Sequence, residues 1–122
     1  MTYHNYPNEW IPQLSFNDIQ HLEGQHKLTT QLAVNGYCLI DGCPTEKSSV
    51  LQIANKVSKP IPSVYGMTFD VVSEENPSNI AYSNVELGPH VDLTYFESPP
   101  GLQFFLCRYF LIRGKFDLDL CL

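Results

Sequence analysis

Apolar residues recur at helical spacing in the first half of this chain and alternate or run together in short stretches in the second. Ser15-Phe16-Asn17-Asp18 opens a helical pattern in the manner of a capping box, with Asp in place of the usual Glu or Gln. Leu22, Gly24 and Leu28 predict two short helices broken near Gly24. The second should stop at Asn35-Gly36, because glycine admits the left-handed conformation that ends many helices. Tyr37-Cys38-Leu39-Ile40-Asp41 reads as a compact buried strand closed by Gly42 and Pro44. Thr45 is placed to cap a third helix, along which Val50, Ile53, Ala54 and Val57 return every three or four residues. Lys59-Pro60-Ile61-Pro62 must be extended, since proline forbids both helix and ladder hydrogen bonding.

From Met67 onward the pattern predicts strands joined by turns, at 67–72, 79–85, 90–95 and 102–112. Asn76-Pro77-Ser78 and Ser98-Pro99-Pro100-Gly101 are turn chemistry between them. Helices first and strands later give an α+β class, with the strands beginning a sandwich or barrel. Four strands at most are too few to close one, so the predicted fold is incomplete.

Composition narrows the possible functions. A chain of 122 residues is at most one domain, and 43% hydrophobic residues suffice for a modest core. Seven Lys and Arg against thirteen Asp and Glu give a formal charge of −6, which argues against a nucleic-acid partner. The apolar run 102–112 includes Gln103 and Arg108 and is far shorter than the ~20 residues a membrane helix needs, so no membrane partner is expected. The start, MTYHNYPNEW, has neither a basic segment nor an apolar core, and the expected compartment is cytoplasmic. Cys38, Cys43, Cys107 and Cys121 are then expected to be reduced thiols. Cys38 and Cys43, with His21 and His26, offer zinc-ligand chemistry, but in no common zinc spacing.

His90-Val91-Asp92 is the strongest chemical signal. In an extended strand, residues two apart project from the same face, so an imidazole and a carboxylate there can meet one metal ion. They would supply two of the three groups of a 2-His-1-carboxylate iron site. By itself H-x-D is a weak motif, and a surface His–Asp hydrogen bond is its ordinary structural explanation.

The surrounding residues add specificity. Tyr65-Gly66, Asn79-Ile80-Ala81-Tyr82, His90-x-Asp92, Pro99-Pro100-Gly101-x-Gln103 and Cys107 follow one another as in a known family. The stretch resembles the catalytic domain of the γ-butyrobetaine and trimethyllysine dioxygenases, within the TauD-like branch of the Fe(II)/2-oxoglutarate oxygenases. The likeness is strongest over 65–107 and extends loosely back to Phe16. The resemblance implies a double-stranded β-helix (jelly-roll), of which this chain holds the N-terminal helices and first strands. It implies Fe(II) ligated by His90 and Asp92, 2-oxoglutarate as co-substrate and ascorbate as reductant. It also implies a small-molecule trimethylammonium substrate, hydroxylated at an unactivated carbon.

Within that resemblance, Tyr65, Phe69 and Tyr82 fall where an aromatic cage holds the quaternary cation. Ring faces suit such a cation, which cannot hydrogen-bond. Phe69 stands where the family usually has Trp, which should weaken the attraction. Asn79 falls where the γ-butyrobetaine enzymes carry an Asn near the substrate carboxylate, tilting the substrate toward γ-butyrobetaine. A trimethyllysine substrate would instead suggest a mitochondrial location.

The resemblance also has departures. The family's small Cys/His zinc domain has no counterpart ahead of Phe16, and the likeness ends near Arg108. The divergent tail 109–122 reads as a truncated or alternatively spliced end, lacking the family's distal His and the Arg that grips 2-oxoglutarate. The expectation is therefore a partial dioxygenase domain over 1–122, inert and marginally stable by itself. Its open strand edge would favour a homodimer or pairing with a full-length relative. An unrelated acidic binding module with an accidental H-x-D is the remaining reading.

Overall fold

The computed structural model describes residues 11–72, 88–111 and 115–121, with side chains described over 11–71 and 88–108. The predicted strand 79–85 lies outside them, as do Asn79 and Tyr82. The chain divides into two compact units, Met1–Pro44 and Thr45–Leu122.

In the first unit, strand β1 (Gln13–Ser15) pairs in parallel with β2 (Leu39–Asp41). A parallel pair needs a long crossover, here a 3₁₀ turn at Asp18–Gln20 followed by helix α1 (Leu22–Asn35). The predicted capping box is present. Asp18 N–H donates to Ser15 Oγ and Ser15 N–H donates to Asp18 Oδ2, both at 3.1 Å. It opens only the 3₁₀ turn, because the chain becomes extended at His21 (φ −107°, ψ 151°) before α1 begins.

The helix break thus lies at His21, and Gly24 sits inside α1. Its role is close approach: a Cβ there would lie 1.9 Å from the Asp18 carbonyl oxygen. That contact brings the 3₁₀ turn against the helix, where Ile19 and Leu28 are buried. Helix α1 stops as expected at Gly36, at φ 78°, whose N–H donates to Leu32 O at 3.0 Å. The buried strand expected over 37–41 is a correction. Only Leu39–Asp41 is strand, and Tyr37 and Leu39 are about half exposed, because a pair of three-residue strands has little area to cover them.

In the second unit, helix α2 (Ser48–Val57) buries Val50, Ile53 and Ala54, three of the four positions its periodicity marked, while Val57 is half-buried. Thr45 does not cap it; the preceding residue is Lys47, and the Thr45 carbonyl instead accepts a hydrogen bond from Arg108 Nε at 2.8 Å. An extended stretch with Pro60 buried leads to a tight turn in which Ser63 and Gly66 exchange backbone hydrogen bonds at 3.0 Å. Gly66 has φ 102°, a conformation that disfavours any side chain.

Strand β3 (Thr68–Val72) then enters a three-stranded sheet of order β3-β5-β4, with β4 at Phe104–Leu111 and β5 at Lys115–Cys121. Both pairings are antiparallel. Within the divergent tail, Lys115–Cys121 therefore supplies the middle strand. The alternation Phe116, Leu118, Leu120 against Asp117 and Asp119 is the period-two signal for it. Along β4, Leu106 is buried and Phe105 is 57% exposed, as alternate positions of a sheet covered on one side by α2.

Residues 90–95 are the second correction. No strand forms there; residues 92–95 make a turn closed by Phe96 N–H donating to Leu93 O at 3.1 Å. Leu93 has φ 55°, which no strand can accommodate. That conformation costs a leucine roughly 1–2 kcal/mol. Leu93 is partly buried and lines a small cavity with Ile61, Phe96 and Pro100, and this packing offsets the cost.

Candidate metal centre and its aromatic neighbours

The H-x-D pair comes together although the strand meant to align it is absent. Pro89 and the turn at 92–95 bracket a short loop, and His90 Nε2 lies 3.3 Å from Asp92 Oδ1. His90 Nδ1 lies 2.8 Å from the Gly88 carbonyl oxygen. A carbonyl can only accept, so Nδ1 carries the proton and Nε2 presents its lone pair in the neutral ring. The second oxygen of Asp92, Oδ2, accepts a hydrogen bond from Gln103 Nε2 at 2.8 Å.

Two electron-pair donors therefore face each other across 3.3 Å, each with its remaining polar atom already tied down. A proton on Nε2 makes them an ion pair, and a metal ion in its place is held by both. Imidazole and carboxylate donors sit about 2.0–2.2 Å from a first-row metal, so donors at right angles are about 3.0 Å apart. The observed separation fits two adjacent coordination positions. A ligating histidine characteristically donates its other N–H to a carbonyl or carboxylate, as His90 does to Gly88. The pair fits Fe(II). Among the described residues, no group of three His, Cys, Asp or Glu comes together.

Of the three rings expected to form a cage, two lie among the described residues and pack on each other. The Ser63–Gly66 turn folds Tyr65 back toward the start of β3, so that Tyr65 and Phe69 have ring centroids 5.2 Å apart, tilted by 45°. Tyr65 is 55% exposed, so its ring remains open to a ligand. The third predicted ring, Tyr82, and the predicted carboxylate partner, Asn79, lie outside the described residues.

Sequence reasoning missed Tyr95, which lies near both Tyr65 and Asp92. Its phenol is raised above the ordinary tyrosine range, first by a hydrogen bond with Tyr65, then by burial and by the nearby Tyr65 and Asp92. Its ring also packs on Phe96, with centroids 5.0 Å apart. Gln103, the last residue of the Pro99-Pro100-Gly101-x-Gln103 motif, donates a hydrogen bond to Asp92, a contact that the sequence pattern does not reveal.

The zinc chemistry considered for Cys38 and Cys43 finds no support in their surroundings. Both thiols are raised by burial, Cys43 further by Asp41, and each donates to a backbone carbonyl, which favours the protonated form over a ligating thiolate. No helix among the described residues is long and apolar enough to cross a membrane.

Comparison with known proteins decides the family. The model of the Taurine catabolism dioxygenase TauD, TfdA family matches residues 5–110. The chain belongs to the TauD/TfdA family. Membership implies the double-stranded β-helix; the described residues contribute helices and an antiparallel three-stranded sheet, short of a closed one. Among individual TauD-type relatives, the trimethyllysine dioxygenase of Meyerozyma guilliermondii is 32% identical over 71 residues, 58% of this chain and 18% of that protein. The gamma-butyrobetaine dioxygenase of Pseudomonas sp. (strain AK-1) is 36% identical over 72 residues, 59% of this chain and 19% of that protein. The mitochondrial trimethyllysine dioxygenase of Rattus norvegicus is 26% identical over 103 residues, 84% of this chain and 24% of that protein. The chain thus spans a quarter or less of the length of these relatives.

Proposed function

We propose that this chain contributes the His90–Asp92 half of an Fe(II) site in a 2-oxoglutarate-dependent dioxygenase that hydroxylates a trimethylammonium substrate. The observation that carries this reading is the 3.3 Å approach of His90 Nε2 and Asp92 Oδ1, each braced by a separate hydrogen bond. Bound Fe(II), with 2-oxoglutarate as co-substrate and ascorbate as reductant, supplies the activation of O₂. The chain's own residues bind and orient. Nε2 and Oδ1 hold the metal, and the faces of Tyr65 and Phe69 attract a quaternary ammonium by cation–π interaction.

γ-Butyrobetaine is the first substrate candidate, on the strength of Asn79, with trimethyllysine the alternative. Relatives bearing each name support the trimethylammonium class. The cytoplasmic location goes with the first substrate, while the relative named mitochondrial supports the second location.

Residues 1–122 assayed alone should not turn over either substrate, because two protein donors hold a metal weakly and no third joins them among the described residues. Succinate release from 2-oxoglutarate on adding γ-butyrobetaine, with Fe(II) and ascorbate present, would overturn this expectation. The binding reading is tested separately by tyrosine fluorescence. γ-Butyrobetaine and trimethyllysine should quench more strongly than an isosteric neutral tert-butyl analogue, and equal quenching by the neutral compound would count against a cation site.

A second reading has one observation in its favour. Among the described residues, β3 and β4 each have an outer edge without a strand partner, and Phe105 on β4 is 57% exposed. An edge of this kind suits strand-to-strand pairing with a second copy or a longer relative, in a non-catalytic role. Size-exclusion chromatography across a concentration series distinguishes the two, since a monomer at every concentration removes self-pairing.

A further inference from the structure

We propose that Gln103 is the positioning residue that fixes Asp92 as a one-oxygen metal ligand. The proposal rests on the assignment of His90 and Asp92 as ligands and adds a third residue to their site. A carboxylate can bind a metal through one oxygen or both, and a free Asp on an exposed turn can rotate between the two. Here Gln103 Nε2 donates to Oδ2 at 2.8 Å, so only Oδ1 remains directed at His90 Nε2.

The placement of the donor explains how it can do this. Asp92 lies in an exposed turn followed by the left-handed Leu93. Gln103 is half-buried and immediately precedes β4, a sheet strand anchored by the buried Leu106. The two are eleven residues apart in sequence, so the exposed Asp92 carboxylate is held from the start of a sheet strand rather than by its own loop. His90 has the opposite arrangement, with its ring oriented by Gly88 within the loop.

Glutamine also suits the task chemically. Its amide donates a hydrogen bond without carrying a charge, so it leaves the carboxylate's full negative charge available to the cation. Lys or Arg in its place would neutralise that charge, and Leu or Met would leave Oδ2 free to swing toward the metal. Outer partners of this kind typically change metal affinity by about 10–100-fold.

The test uses Co(II) as the probe on residues 1–122, with His90→Ala as the reference for loss of the site. Gln103→Leu should weaken Co(II) binding about tenfold. It should also dim the visible d–d bands, because a two-oxygen Asp92 raises the coordination number. Far-UV circular dichroism should be unchanged, and a merely structural role would not move the d–d spectrum at equal saturation. Wild-type affinity and an unaltered spectrum in Gln103→Leu, with binding lost in His90→Ala, would overturn the Gln103 proposal alone. Co(II) binding that His90→Ala leaves untouched would overturn the ligand assignment and this proposal with it.

If Gln103→Leu fails to fold, the wild-type protein still decides the question by NMR. The Gln103 side-chain amide protons should be protected from solvent exchange and shift on adding Zn(II). Unprotected, unshifted amide protons would refute the assignment.

Discussion

Replacing Gly24 by alanine sets two physical rules against each other. In a helix interior alanine is favoured over glycine by about 1 kcal/mol, so propensity alone predicts that Gly24→Ala stabilises α1. The structure predicts the reverse. A Cβ at this position would lie 1.9 Å from the Asp18 carbonyl oxygen, 2.3 Å from its carbon and 2.9 Å from the Ile19 nitrogen. All three are backbone atoms, so no side-chain rotation relieves the overlap. Ordinary contact begins near 3.4 Å, and the 3₁₀ turn must move away by more than an ångström.

That movement lifts the fully buried Ile19 away from α1, whose Leu28 is 1% exposed. Full burial of one such side chain contributes about 1.5–3 kcal/mol, and losing much of it outweighs the propensity gain. The net expectation is a destabilisation of about 1–2 kcal/mol, within the range for forcing extra atoms into a packed site. Urea unfolding followed by circular dichroism reads it as a lower midpoint. Ala33→Gly, on the exposed face of the same helix, supplies the ordinary propensity cost of about 1 kcal/mol for comparison. A midpoint for Gly24→Ala equal to or above wild type would refute the close-approach argument.

Three further outcomes follow from the same geometry. Phe69→Trp should tighten γ-butyrobetaine binding about two- to fivefold, the equivalent of 0.5–1 kcal/mol of cation–π attraction at an exposed site, and unchanged fluorescence titrations would count against Phe69 as a cage ring. Tyr95 loses its proton above the ordinary tyrosine range because the Tyr65 hydroxyl holds it. That stabilisation is complete below the unfolded tyrosine pKa and is lost as pH rises through the folded value. Tyr65→Phe should therefore bring the Tyr95 ionisation, read as the difference in ultraviolet titration against wild type, to lower pH. Asp18 is lowered first by its side-chain hydrogen bond with Ser15, and Glu23 first by its hydrogen bond with Lys27. Both contribute stability that is present above the unfolded carboxylate pKa and lost as pH falls through the folded values. Asp18→Asn should flatten the acid limb of a stability–pH curve, and an unchanged limb would show that the capping pair does not carry it.

The parts of the fold legible in the sequence were those set by local rules. The α2 face of Val50, Ile53 and Ala54 is fixed by helical periodicity, and the α1 stop by the left-handed freedom of Gly36. Gly24 was misread because a glycine in a helical pattern signals either a break or a close approach, and only the position of Asp18 distinguishes them. Strand β5 carries a clear two-residue alternation in a tail that departs from the resembling family. Its pairing with both β3 and β4 is a long-range fact that no single segment contains.

The site was half legible for a related reason. His90 and Asp92 are expected side by side on a strand that does not form, and their side chains meet nonetheless. Residues two apart are close enough to share a metal whether the chain between them is extended or turned, so the motif tolerates a wrong secondary structure. Residues farther along the chain depend on the turn for their contact. Tyr95 reaches Tyr65 and Asp92 only because 92–95 turns, and a continuous strand would have carried it about 10 Å past Asp92. Gln103 reaches Asp92 only because the chain between them reverses before β4. The turn that forms in place of the strand therefore brings Tyr95 and Gln103 to the candidate pair. A substitution that restores extended structure at Leu93 should leave the H-x-D motif intact while dispersing Tyr95 and Gln103 from it.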